Sequence, residues 1–179
     1  MHVLELATTG RATCRGCGEK IAAKTLRLGE RVPNPFADEG GETTHWYHPR
    51  CGAFRRPEAM IAALATAALE AGVLDAEERA LLTREAELGV AHHRLPRVST
   101  ASLAPTGRAT CRGCKEPIAK DSWRIALVYY EEGRFVPSGF IHAGCASGYL
   151  ESTALLPRVQ HFSPALRDAD LAALAEAIR

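Results

Sequence analysis

The sequence predicts an α+β protein made of two small repeated units, each with a short antiparallel sheet and supporting helices. Three observations carry this. The string Thr-Gly-Arg-Ala-Thr-Cys-Arg-Gly-Cys occurs at residues 9–17 and again at 106–114, an offset of 97. Each copy holds a Cys-x-x-Cys pair and is followed downstream by a His-x-x-Cys pair. Between and after these pairs, β-branched and aromatic runs alternate with stretches of helical apolar spacing.

The repeated pairs read as two metal sites. Cys14, Cys17, His48 and Cys51 form the first set, and Cys111, Cys114, His142 and Cys145 the second; together they use all six cysteines. Zinc favours four tetrahedral thiolate and imidazole ligands, and a structural site fills every position with protein groups. Gly16 and Gly113 suit the tight bend that brings two sulfurs to one ion. His45 and His48 both lie near Cys51, but the second unit has Gly139 where the first has His45. The repeat therefore assigns His48 and His142 as ligands, leaves His45 out, and implies two zinc ions.

Competing readings fare worse. Three cysteines per unit cannot pair off internally as disulfides, and no signal peptide is visible. A catalytic zinc keeps an open position for water, which four protein ligands do not leave. A redox sensor that releases zinc on thiol oxidation is a further alternative. Thiolate ligands without an export signal point to a cytoplasmic protein, nucleoid-associated in a bacterium. The Ala-rich stretch at 61–71 is too short and interrupted to span a membrane.

With 179 residues and only 6% aromatics, neither unit buries a large core. Metal ligation then supplies much of the folding free energy, on the order of 10 kcal/mol per site. The formal net charge of +1 is low for a nucleic-acid binder. Its distribution says more. Residues 7–60 hold nine Lys/Arg against six Asp/Glu, residues 61–95 three against six, and residues 104–151 six against five. Positive charge thus gathers around the repeated motifs, with an acidic segment between them.

The elements follow in order. Residues 1–60 form the first unit, with a short, weak strand signal at 25–32. Residues 61–91 form a helical segment packing on it: Pro57 and Glu58 open one helix, Ile61, Leu64 and Ala68 share a face, and Gly72 caps it. Asp75, with Glu78 placed for a capping box, opens a second helix that Gly89 terminates. Residues 92–104 lack a period and contain a proline, and read as a linker. The second unit spans 105–151, with a strand at 123–130. Residues 152–179 form a C-terminal helical segment, whose last helix starts at Ser163 and Pro164 and packs through Leu171, Leu174 and Ile178.

The motif Gly-Arg-Ala-Thr-Cys-x-x-Cys, with Ile21, Leu26-Arg27 and the run His45-Trp46-Tyr47-His48 before Cys51, resembles the zinc fingers of poly(ADP-ribose) polymerases. The same finger type occurs in a eukaryotic DNA ligase. Unit two keeps Gly107 to Cys111, Cys114, Ile118, Lys120-Asp121-Ser122 and Arg124, and departs at Gly139-Phe140-Ile141-His142. The long spacing between the two ligand pairs sets this type apart from short-looped fingers that read the major groove.

The resemblance implies recognition of DNA strand breaks, nicks and ends by shape, in damage detection or repair. Arginines such as Arg11 and Arg27 then grip phosphates, and apolar residues on the loop before the His-x-x-Cys pair stack on the exposed base pair. The loops are residues 33–41, carrying Phe36, and 131–139, carrying Phe135 and Val136. Repetition at matched positions extends the phosphate set to Arg11, Arg15 and Arg27 with Arg108, Arg112 and Arg124. Trp46 and Tyr47, between ligands, are expected in the core. No phosphate-cradling glycine loop, serine-nucleophile motif or clustered carboxylates are visible, so the chain reads as a non-enzymatic recognition module with no small-molecule substrate. Its partners are then broken DNA and, through it, a repair enzyme. The alternative is a zinc-folded adaptor that binds another protein, which the near-neutral charge favours.

Overall fold

In the computed structural model, residues 2–34, 41–70 and 72–178 are described. The chain divides into two units, one built on Met1–Ala91 and the other on His92–Glu131 with Phe135–Arg179. No helix among the described residues is long and apolar enough to cross a membrane.

Unit one contains β1 (Val3–Leu6), β2 (Leu26–Pro33) and β3 (Glu42–Tyr47), joined in that order as an antiparallel sheet. The register sorts its side chains by strand alternation. Leu4, Leu28 and Tyr47 fall on one face and are buried against the helices, whereas Val3, Gly29 and Trp46, with Glu5 and Arg27, fall on the other. The helices are α1 (Pro49–Arg55), α2 (Pro57–Thr66) and α3 (Ala76–Ala91). Phe54, Met60, Ala63, Leu82 and Ala86 complete this core. Gly52 is needed here, because a Cβ would sit 2.6 Å from a Leu28 methyl.

Within this core lies a buried charge cluster. Glu30 is 3% exposed and accepts from Arg56 Nε at 2.8 Å and from the Tyr47 hydroxyl at 3.2 Å. A carboxylate buried this deeply is tolerable only with such donors.

Unit two repeats the plan with β4 (Val98–Leu103), β5 (Trp123–Glu131) and β6 (Arg134–His142), followed by α4 (Ala146–Leu150), α5 (Leu156–Phe162) and α6 (Asp168–Ala177). Its core comprises Leu95, Val98, Ile118, Ile125, Leu127, Ile141, Leu155, Val159 and Leu174.

Several boundaries differ from the sequence-based reading. Strand β2 is complete, so the weak signal at 25–32 understated it. Helix α2 stops at Thr66, before Ala68 and Gly72, where Ala67 turns extended; Arg79 from α3 donates to the Leu64 carbonyl at 3.0 Å and satisfies that end. Asp75 does cap α3, its carboxylate accepting the Glu78 amide at 2.7 Å, but the helix continues through Gly89 to Ala91. Residues 92–104 are not a free linker. A 3₁₀ turn at Leu95–Arg97 leads into β4, and Leu95 and Val98 are core residues. Ser163 does not start the last helix: its hydroxyl accepts the Ala101 amide at 2.9 Å, and α6 begins at Asp168. The segment read as a stacking loop at 131–139 is mostly strand β6, reached by a two-residue turn with φ of 49° at Glu132 and 80° at Gly133.

Candidate metal centres and the face beside them

Each Cys-x-x-Cys pair sits in a turn closed by the backbone. The Cys14 amide bonds the Glu19 carbonyl at 2.8 Å and the Gly18 amide bonds Cys14 at 2.9 Å. Cys111 with Glu116 and Lys115 with Cys111 repeat this at 2.9 and 3.0 Å. The turn needs a left-handed residue, and Gly18 (φ 83°) and Lys115 (φ 68°) supply it. The second pair arrives at the junction of strand and helix: His48 follows β3 as the N-cap of α1, His142 ends β6, and Cys51 lies in α1.

The ligand atoms of Cys14, Cys17, His48 and Cys51 lie within 4.8 Å of one another, and so do those of Cys111, Cys114, His142 and Cys145. Zn–S and Zn–N bonds of about 2.3 and 2.0 Å put tetrahedral ligand atoms roughly 3.5–3.8 Å apart. Cys17 Sγ stands 3.4 Å from His48 Nδ1, Cys114 Sγ 3.4 Å and Cys145 Sγ 3.8 Å from His142 Nδ1. Both tetrads therefore fit a zinc ion, held through Nδ1. The far nitrogen of His142 reaches the Pro117 carbonyl at 3.2 Å, the orienting bond that metal-bound imidazoles use. The tetrads confirm two Cys3His zinc-binding clusters, and His45, at 6% exposed, lies outside them.

The surroundings favour anionic sulfur. The Cys14 thiol is lowered to about 5 by the hydrogen bond from Cys51 and by the His48, Cys17 and Gly16 amides, against burial. Burial acts on Cys111 too, but the His142, Cys114 and Gly113 amides prevail and bring it to about 6. Cys51 is pushed upward by its bond to Cys14 and by burial, and burial raises Cys145 to about 11. Backbone amides thus favour anionic sulfur in each turn, and zinc binding is coupled to release of the remaining thiol protons. The close approach is glycine-dependent: a Cβ on Gly16 would lie 2.8 Å from Cys51 Cβ, and one on Gly113 3.3 Å from Cys145 Cβ.

The arginines separate into two groups. Arg11, Arg15, Arg108 and Arg112 are exposed beside the turns. Arg27 is not presented to solvent in this way. It is 7% exposed, its Nη2 pairs with Glu5 at 2.6 Å, and its guanidinium lies 3.5 Å from the centre of the Trp46 ring. In this structure its guanidinium backs the indole. Arg124 stacks on Phe140 at 3.9 Å, so the pair is repeated, but it meets the Ser102 hydroxyl at 3.4 Å where Arg27 meets a carboxylate.

Trp46 also departs from the expected core position, whereas Tyr47 is buried. The indole is half-buried on the outer face of the sheet, where a Cβ on Gly29 would come within 2.7 Å of it. With Thr13, Arg15 and Thr44 it lines an open recess of about 400 Å³. Of the stacking candidates, Phe36 lies outside the described residues. Phe135 and Val136 are half-buried neighbours on β6, so alternation sends them to opposite faces; the Phe135 ring packs on Tyr130 with 5.0 Å between centroids. Sequence reasoning missed Glu5, Thr13, Lys20 and Thr44. The repeat held a signal for one feature, since an aromatic stands two residues before each ligand histidine.

Comparison with known proteins gives the same picture. Residues 5–78 match the model of the poly(ADP-ribose) polymerase and DNA-ligase zinc-finger region. Poly(ADP-ribose) polymerase 1 of Gallus gallus is 33% identical over 137 residues, covering 68% of this chain and 13% of the relative. The Drosophila melanogaster poly(ADP-ribose) polymerase is 27% identical, covering 73% and 14%. A polynucleotide 3′-phosphatase of Arabidopsis thaliana is 27% identical, covering 80% and 23%. The chain therefore spans well under a third of the length of each of these relatives.

Proposed function

We propose that this chain, whose first unit is a zinc finger of the poly(ADP-ribose) polymerase and DNA-ligase type and whose second unit repeats the ligand set, binds DNA at strand breaks. The observation that carries the reading is the matched placement of exposed arginines on two zinc-braced turns, Arg11 and Arg15 in one unit and Arg108 and Arg112 in the other. Guanidinium groups form bidentate contacts with phosphate that position a protein without reading sequence. Zinc fixes the turns that bear them, so the cations are held in place before DNA arrives.

At a nick or end the duplex also exposes a flat base-pair face, on which an aromatic ring contributes roughly 1–3 kcal/mol. Phe135 and Val136 are candidates from the described residues, with Phe36 retained from the sequence. Because both units share one chain, binding of the first raises the effective concentration of the second. The reading assigns the chain recognition rather than catalysis, with a repair enzyme as the partner it would bring to the break.

The test is fluorescence anisotropy with a labelled DNA hairpin that is either nicked or fully sealed, measured with and without a zinc chelator. The expected result is tighter, chelator-sensitive binding to the nicked form. Equal binding to both forms would reduce the protein to a general DNA binder, and binding to neither would leave the protein-adaptor reading.

A further inference from the structure

The recess beside the first zinc turn differs in kind from a generic phosphate contact. Arg15 brings a guanidinium to it, and Thr13 and Thr44 bring two hydroxyls. Lys20 Nζ donates to Thr13 Oγ1 at 3.1 Å and to the Arg11 carbonyl at 3.2 Å, which holds a second cation beside that lining residue. Since Thr13 Oγ1 accepts there, its own proton is free to be donated outward. Trp46 supplies a flat wall, fixed from behind by Arg27 at 3.5 Å and by the bare backbone of Gly29. Two cations, two hydroxyls and an aromatic face are the groups that a terminal nucleotide requires. A terminal phosphate carries about −1.5 to −2 charge and three free oxygens, against a single charge on an internal phosphodiester.

We infer that this recess is a subsite for the phosphorylated end of a broken strand, with the phosphate on Arg15, Lys20 and the two hydroxyls, and the sugar or base against Trp46. The inference rests on the DNA-break reading above and assigns a ligand class to one unit only. In unit two, Pro117 stands where Lys20 is, 97 residues on. Ser138, the counterpart of Thr44 when counted back from the ligand histidine, is 5% exposed and accepts from Arg97 at 3.2 Å. The second unit thus keeps Arg112, Phe140 and Thr110, and Lys115 bonds the Arg112 carbonyl at 3.0 Å. Among the described residues, however, no cation bonds the Thr110 hydroxyl as Lys20 bonds Thr13, and Ser138 is engaged. End chemistry is read by the first unit, while the second adds affinity without regard to it.

The experiment uses the full zinc-loaded chain and four hairpins: sealed, nicked with two hydroxyls, nicked with a 5′-phosphate, and nicked with a 3′-phosphate. One phosphorylated nick is expected to bind about tenfold tighter than the hydroxyl nick, and which one identifies the end that is held. Lys20→Gln should collapse that ratio towards one, as should Arg15→Gln, with two zinc ions per chain retained as the folding control. Arg112→Gln should weaken all nicked forms alike and leave the ratio intact. Equal affinity for phosphorylated and hydroxyl nicks, or a ratio that survives Lys20→Gln and Arg15→Gln, would overturn the subsite while leaving break recognition standing. Failure to prefer any nick over the sealed hairpin would overturn both.

Discussion

Gly16 and Gly113 occupy equivalent places in the two zinc turns, yet the space around them differs. A Cβ at Gly16 would lie 2.8 Å from Cys51 Cβ, a backbone-near atom of a ligand in α1 that cannot swing aside. At Gly113 the corresponding approach, to Cys145 Cβ, is 3.3 Å, which a few tenths of an ångström relieve. Gly16→Ala is therefore expected to push Cys51 out of its tetrad and reduce bound zinc from two ions per chain to one, whereas Gly113→Ala keeps two. Metal content measured on the purified variants decides it, and two ions in both would show that the first turn yields more than its geometry suggests. At this scale the ligands were fully legible in the sequence, because ligand chemistry demands fixed residue types and the repeat removed His45 from contention. Arg27 and Trp46 were not. Nothing in their own identities says that Glu5, 22 residues away, takes the guanidinium at 2.6 Å, since that contact is created by the pairing of β1 with β2.

Among the elements, the turn that enters the second strand is repeated in detail. Lys24 and Asp121 both adopt a left-handed backbone, with φ of 62° and 60°. Their amides bond the Ala7 and Ala104 carbonyls at 2.7 and 2.8 Å, so the conformation is imposed by the link back to the preceding segment. A non-glycine residue there carries strain of about 1 kcal/mol, partly offset by the greater unfolded-state freedom of glycine. Lys24→Gly and Asp121→Gly are each expected to raise stability, by roughly 0.5 kcal/mol net. Denaturant melts would show it as a higher midpoint with unchanged slope; a lower midpoint would mean that the lost side chain mattered more than the relieved backbone. Elements were less legible than ligands for the same reason that these turns are strained. Their limits are set by partners distant in sequence: Arg79 takes the Leu64 carbonyl in the last turn of α2, and Ser163 is drawn to β4 instead of opening a helix. Strand β4 looked like a linker because its neighbourhood's buried residues, Leu95, Val98, Ala101 and Ala104, fall three apart, which is not the alternation a strand presents.

For the whole molecule, the two tetrads tie zinc to folding and, on the proposed reading, to DNA binding. Each unit has a modest core, and its ligand pairs join the turn to the strand–helix junction across long stretches of chain, so removing one ligand releases the closure that holds that unit's arginines. Cys51→Ser and Cys145→Ser each disable one centre and leave the other four ligands untouched. If both units engage one DNA molecule, either substitution should cost about 10²-fold or more in affinity for nicked DNA, because the surviving unit loses the effective concentration that the shared chain provides. The slope of log affinity against log salt should fall together with it, since it counts the phosphates neutralised. The two variants should then differ in one respect. Cys145→Ser, which spares the recess of Thr13, Arg15, Thr44 and Trp46, should retain discrimination between phosphorylated and hydroxyl nicks, and Cys51→Ser should lose it. Salt titrations of both variants on the same hairpins separate the cases. An affinity loss of only twofold in each would mean that the units bind independently, and that the duplication adds sites without linking them.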